Sequence, residues 1–210
     1  MAPLDDVRAR IAAAAGRAGR DAAGVEIVAA TKYVSVEDMG AVADAGITRV
    51  GENRAQDLVA KYDAYGDRFT WDFIGHLQSR KVPQILPLVR RIHSVGSDSV
   101  LGRLERHRDL ALPGLEILVE VNVAGEEGKS GIEPGELGAF LERCPIAPVG
   151  LMTMPPLAGD SRRWFSALRD LAHEHGLAQL SMGTSQDFEI AVEEGATIVR
   201  LGSVLLRPGS

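Results

Sequence analysis

Eight short apolar runs, each followed by a polar turn, constrain this chain more than any other feature. They span 25–32 (VEIVAATK), 47–50, 71–75, 91–95, 115–123, 147–152, 178–182 and 197–202. Short apolar runs bounded by turn residues read as strands, and apolar residues three and four apart read as amphipathic helices. Strands that alternate with helices pair in parallel, because a parallel pair needs a long crossover and a helix supplies it. Eight such units close a (β/α)8, or TIM, barrel. The rival is an open doubly wound sheet, whose first turn usually carries a glycine-rich phosphate loop; here that turn reads TKYVS.

Between the strands, helical pattern is expected from Ser35 to Ala45, over 54–66, in the segment 76–88, and over 98–108, 134–143, 161–175 and 186–194. Only eight residues follow Gly202, too few for an eighth full crossover helix. Residues 4–18 put Leu4, Val7, Ile11 and Ala14 on one face, so this N-terminal helix is expected to fill the gap in the outer ring. No linker or low-complexity tract interrupts the pattern, and residues 1–210 read as a single domain.

Composition narrows the function. A formal charge of −6 disfavours a nucleic-acid binder, although Arg90 and Arg91 could form a local basic patch. No run approaches the length of a membrane span and the N-terminus is acidic, so a cytoplasmic protein is expected. The single cysteine, Cys144, can form no internal disulfide and reads as a small core residue. The histidines show no metal-like grouping, and no metal is assigned. A small-molecule ligand is the better default.

In a barrel the active face lies at the C-terminal strand ends. The first ends in Lys32, one of only four lysines against 19 arginines. Arginine keeps its proton in a protein, whereas a lysine amine can lose it and attack a carbonyl; the bland reading is a solvated strand-end lysine. Further ends carry Glu52 and Asn53, then Gly75, His76 and Gln78, then Asn122, then Met152 and Thr153. The seventh ends in Ser181-Met182-Gly183-Thr184-Ser185 and the eighth carries Arg200, Gly202 and Ser203. Barrels commonly bind phosphate at those last two loops, although Thr184 or Ser185 could equally cap the following helix. Arg200, within a strand, needs an acceptor in the protein or on a ligand. His76 reads as a ligand contact or a structural residue, and Lys129 as a solvated loop lysine on the same face. Together, an amine, an anion cradle and a guanidinium suggest pyridoxal 5′-phosphate, with its aldehyde at Lys32 and its pyridine nitrogen toward Arg200.

The motifs ATK, VGENRAQD, WDFIGHLQSRK, VNVAGEEGKSGI, GLMTM, LSMGTS and VRLGS occur in this order along nearly the whole chain. In them the chain resembles the pyridoxal phosphate homeostasis proteins, which are similar to the N-terminal barrel domain of bacterial alanine racemase. The resemblance implies a Schiff base at Lys32 and Asn53 near the ring. It also implies Ser181, Ser185, Gly202 and Ser203 near the phosphate, with Met182 in the same cofactor-binding set, and Arg200 at the pyridine nitrogen. Thr184 departs from the methionine usual in the family. The segment between Met154 and Trp164 looks short, and the end lacks the family's aromatic-glycine pair.

Two functions compete. One is a carrier that holds the cofactor and delivers it to apo-enzymes; the other is an amino-acid racemase or related small enzyme. Racemisation needs bases on both faces of the substrate α-carbon. In the racemase family the opposite base is a tyrosine from a partner subunit's second domain. Tyr33, adjacent to Lys32 on a strand, is expected to point the other way. The carrier, as a cytoplasmic monomer with no residue assigned to catalysis, is the favoured reading.

Overall fold

The computed structural model describes residues 4–156 and 159–206. Its strands are β1 (Glu26–Ala30), β2 (Arg49–Glu52), β3 (Thr70–Phe73), β4 (Arg91–Val95), β5 (Glu116–Glu120), β6 (Gly150–Met152), β7 (Gln179–Ser181) and β8 (Ile198–Leu201). All neighbours are parallel, and β8 closes onto β1 through the pairs Glu26 with Ile198 and Val28 with Arg200. Around them lie α1 (Leu4–Arg17), α2 (Met39–Asp44), α3 (Ala55–Tyr65), α4 (Val82–Ile85), α5 (Asp98–Arg106), α6 (Leu137–Glu142), α7 (Ser161–Glu174), α8 (Phe188–Glu193) and α9 (Ser203–Leu206). The expected (β/α)8 barrel is the fold.

The N-terminal helix takes the expected place. Val7, Ile11, Ala14 and Ala15 are its buried face. Arg10 donates to Glu189 at 2.8 Å and Arg17 to Glu193 at 2.7 Å, both on α8, and the Arg10 guanidinium lies 4.6 Å from the centre of the Phe188 ring. The crossover after β8 is thus replaced by a helix from the other end of the chain, while α9 is a single turn.

Helix starts and lengths differ from the sequence pattern where local hydrogen bonds compete. The Ser35 hydroxyl accepts from the Asp38 amide at 3.2 Å and donates to its carboxylate at 2.9 Å. That turn delays α2 to Met39. In the 76–88 segment, Pro83 sits in the first turn of α4, where its missing N–H is harmless, and Pro87 follows Leu86 and prevents extension.

Alternation along the strands separates two environments. Outward residues such as Val50, Phe73, Ile92, Val119, Leu151 and Val199 join the main core under the helices. Inward apolar residues are few: Val28, Leu118, Met152 and Ile198, with Ile74 and Val149 packed against them. The rest of the barrel interior is polar, with Asp72, Arg91, His93, Ser181 and Arg200 all buried. Arg90 and Arg91 form no local basic patch, since both pair with acidic residues. Arg91 begins β4 with its side chain inside the barrel, 2.7 Å from both Glu26 and Glu116, and Arg90 also reaches Glu116 at 3.4 Å. Burial opposes the Arg91 charge, yet Asp72, Glu26 and Glu116 outweigh it and raise its pKa.

The turn after β7 depends on a glycine. Gly183 has φ +93°, and an added Cβ would lie 2.6 Å from the Ala191 Cβ and 3.0 Å from the Phe188 Cα. Gly183→Ala is therefore expected to lower stability by about 3 kcal/mol, combining left-handed strain with overpacking. Urea denaturation checks this as a lower midpoint at unchanged slope.

Candidate functional site

The C-terminal strand ends surround a cavity of about 650 Å³. Of the residues singled out from the sequence, Lys32, Asn53, Ser185, Arg200, Gly202 and Ser203 line it. Ser181 and Met182 do not.

Lys32 stands just beyond β1 in the turn to α2, exposed, with its amine 5.0 Å from the centre of the Tyr33 ring. The strand has already ended, so strand alternation no longer governs these two residues. Tyr33 is 90% exposed and lines the same cavity, contrary to the expectation that it turns away. The turn itself is anchored from below. Lys61 on α3 donates to the Thr31 carbonyl at 2.8 Å and pairs with Glu52 at 2.5 Å, while the Thr31 hydroxyl donates to Glu52 at 2.6 Å. Glu52 was expected at the barrel mouth. It is instead fully buried facing α3, because its parity on β2 is outward. The next residue, Asn53, faces the cavity. An added Cβ at Gly75 would lie 2.2 Å from the Asn53 carbonyl oxygen, so only glycine lets the two strand ends meet this closely.

Beside Lys32, since β8 pairs with β1, the turns after β7 and β8 interlock. The Ser185 hydroxyl accepts from the amides of Gly202 at 3.1 Å and Val204 at 3.3 Å, so it caps the neighbouring turn and not its own helix. Thr184 does not supply a free donor, since its amide and hydroxyl both donate to Asp187, at 2.6 and 2.9 Å. Ser185, Gly202 and Ser203 thus line a position suited to an anion, with the Gly202 and Val204 amides already engaged by the Ser185 oxygen.

Arg200 forms part of the floor. It donates to the Ser181 hydroxyl at 2.6 Å, to the Thr153 carbonyl at 2.9 Å and to the Met154 sulfur at 2.8 Å. Burial pushes its pKa down to about 10, with Glu120 and Asp187 working against that shift, and it remains cationic at neutral pH. The Ser181 hydroxyl also meets His93 at 2.8 Å, which explains why it lies under the cavity and not in it. Met182, one residue on, has outward parity and packs fully buried in the main core.

On the remaining wall, Asn122 secures the glycine-rich loop by donating to the Glu126 carbonyl at 3.0 Å and to Glu133 at 2.9 Å. Lys129 reaches the rim from that loop, ion-paired with Glu126. Glu120 also lines the cavity, 7% exposed, with Ser130 donating to it at 2.8 Å. Sequence reading passed over Glu120, Tyr33 and Met154 as lining residues; the inward parity of Glu120 on β5 was the available signal. His76 lines the cavity, while Gln78 is not among its walls.

No family model matches the sequence. A pyridoxal phosphate homeostasis protein of Aquifex aeolicus is 38% identical over 96% of this chain and 95% of its own length. The structure of PipY from Synechococcus elongatus, with PLP bound, superposes with a TM-score of 0.76 at 28% identity, covering 96% of this chain and all of that one. Alanine racemase of Corynebacterium glutamicum, 17% identical with a TM-score of 0.65, shares the fold over 99% of this chain and 62% of its own. With that extent of identity and the same barrel, the chain belongs to the pyridoxal phosphate homeostasis protein family.

Proposed function

We propose that this protein binds pyridoxal 5′-phosphate, holds it through Lys32 and takes part in keeping and delivering the cofactor inside the cell. The observation that carries the reading is the convergence on one cavity of a lysine amine, a cradle of Ser185, Gly202 and Ser203, and a buried guanidinium. The residues fit the group: the cradle matches a phosphate, the amine an aldehyde, and the cavity has room for a small aromatic ring. Ser185, Gly202 and Ser203 would hold the phosphate, Asn53 would flank the ring, and Arg200 would offer a hydrogen bond to the ring nitrogen. Bound through its aldehyde, the cofactor supplies an electrophilic carbon and an electron sink. Arg200 restrains that sink, since a guanidinium offers the ring nitrogen a hydrogen bond but keeps its own proton.

The same geometry favours a carrier over a racemase. Tyr33 leaves the same turn as Lys32 and lies against its amine, so the two approach a ligand from one side. Racemisation needs a base on each. We read the protein as a single cofactor-binding domain, a cytoplasmic monomer that passes its cargo to apo-enzymes. Among the described residues, no helix is long and apolar enough to cross a membrane.

Borohydride reduction after addition of pyridoxal phosphate, followed by peptide mass mapping, tests the assignment. The label is expected on Lys32. A label confined to Lys61, Lys81 or Lys129 would sink it, and rapid α-proton exchange on alanine or serine that requires Lys32 would overturn the carrier reading.

A further inference from the structure

A continuous line of buried polar groups runs down the barrel axis beneath the cavity. Arg200 Nη1 lies 2.6 Å from Ser181 Oγ, Ser181 Oγ 2.8 Å from His93 Nδ1, and His93 Nε2 3.0 Å from Asp72 Oδ2. Asp72 Oδ2 is in turn 3.7 Å from Arg91, which Glu26 and Glu116 hold from the other end. Ser181 and His93 are fully buried, Asp72 is 1% exposed and Arg200 4%.

The direction of every link follows from the donors. A carboxylate only accepts, so His93 donates from Nε2 to Asp72. Burial holds the His93 pKa below its usual range, even though Asp72 pulls the other way, and the imidazole is neutral. Its Nδ1 then carries no proton and accepts from the Ser181 hydroxyl. Having given its one proton to His93, the Ser181 oxygen turns its lone pairs to Arg200. One orientation of the guanidinium is thereby selected, and no positive charge from His93 opposes it. Barrel interiors are ordinarily packed with branched apolar side chains, and buried ionic groups are weak sources of stability. Stability alone is therefore a poor account of this line.

We infer that Asp72, His93 and Ser181 are positioning residues that fix Arg200 against the ring nitrogen of the bound cofactor and so tune both its retention and its electronic state. The inference rests on the functional reading above and reassigns Ser181 from a phosphate contact to a support for Arg200.

The test uses the full-length protein loaded with pyridoxal phosphate, reading the visible absorption band, cofactor affinity by equilibrium dialysis and the unfolding midpoint of the unloaded protein. Ser181→Ala is expected to displace the band and weaken affinity about tenfold, the worth of one hydrogen bond to a charged group. Ser181→Thr, which keeps the hydroxyl, is expected to restore both. The double variant Asp72→Leu with His93→Leu leaves no unpaired carboxylate at position 72 and frees the Ser181 hydroxyl to rotate. Its band is expected to move in the same direction by less. An unmoved band in Ser181→Ala, whatever its affinity or unfolding midpoint, would show that the line is structural only and overturn the inference. Equal shifts in Ser181→Ala and Ser181→Thr would overturn it too, as a packing effect. If the unsubstituted protein took up no cofactor at Lys32, the functional reading itself would fail and the inference with it, a result separable from the others because no variant is needed to see it.

Discussion

Lys32→Ala is expected to abolish borohydride-trapped cofactor and weaken retention at least about 100-fold, since a reversible covalent bond is worth more than a hydrogen bond to a charged group. The other three lysines offer no replacement. Lys61 is buried and occupied by Glu52 and Thr31, Lys81 leans on Gln84 at 3.3 Å, and Lys129 is paired with Glu126 on an exposed loop. Lys32 alone combines a place on the cavity wall with an amine whose near neighbour is an aromatic face. Its exposure means that the fold should not notice the change: the unfolding free energy is expected to move by no more than about 0.5 kcal/mol. Lys32→Arg separates charge from chemistry. It keeps a cation at the mouth but cannot shed a proton to attack an aldehyde, so it should behave like alanine in the trapping assay and better than alanine in weak binding of the phosphate. Trapped cofactor in either variant, mapped to another residue, would remove Lys32 from the centre of the site.

Much of this was legible in the sequence for a simple reason. A parallel barrel writes its strand count as apolar runs, and its active face lies at their C-terminal ends, so Lys32, Asn53, Ser185, Arg200, Gly202 and Ser203, all of which line the cavity, fall at the barrel mouth by sequence position alone. What failed was parity near those ends. Glu52 and Asn53 are adjacent, yet one faces α3 and the other the cavity. Ser181 and Met182 divide in the same way between the barrel axis and the outer core. A one-residue uncertainty in where a strand stops reverses the prediction, and β1 stopping at Ala30 is also why Tyr33 was misplaced. The polar line was the least legible. Asp72 and His93 sit at inward parity in otherwise apolar strands, which flags each alone, but the partners are 21 and 88 residues apart and only closure of the barrel brings them together.

The largest stability effect is expected from the pair beneath Lys32. Lys61 and Glu52 are nearly or wholly buried, at 3 and 0% exposure, and Glu52 Oε2 has no partner among the described residues. Removing one member of such a pair strands the other charge in a medium that cannot solvate it, so Lys61→Met should lower stability by about 3–5 kcal/mol in urea unfolding. It also takes the 2.8 Å hydrogen bond from the Thr31 carbonyl, the residue that leads into Lys32. Cofactor trapping at Lys32 should therefore slow in the surviving folded protein. Glu52→Met combined with Lys61→Met discriminates between two accounts of the pair. If the two charges chiefly compensate each other's desolvation, the double variant should recover most of the loss, since apolar side chains of similar length fill the space and the Thr31 hydroxyl can turn to the Gly51 carbonyl, already 3.4 Å away. A double variant as unstable as the single would instead mean that the pair attracts more strongly than burial penalises it. Trapping speed then separates stability from placement: a stable double variant that still traps slowly would assign Lys61 the further task of holding the turn that presents Lys32.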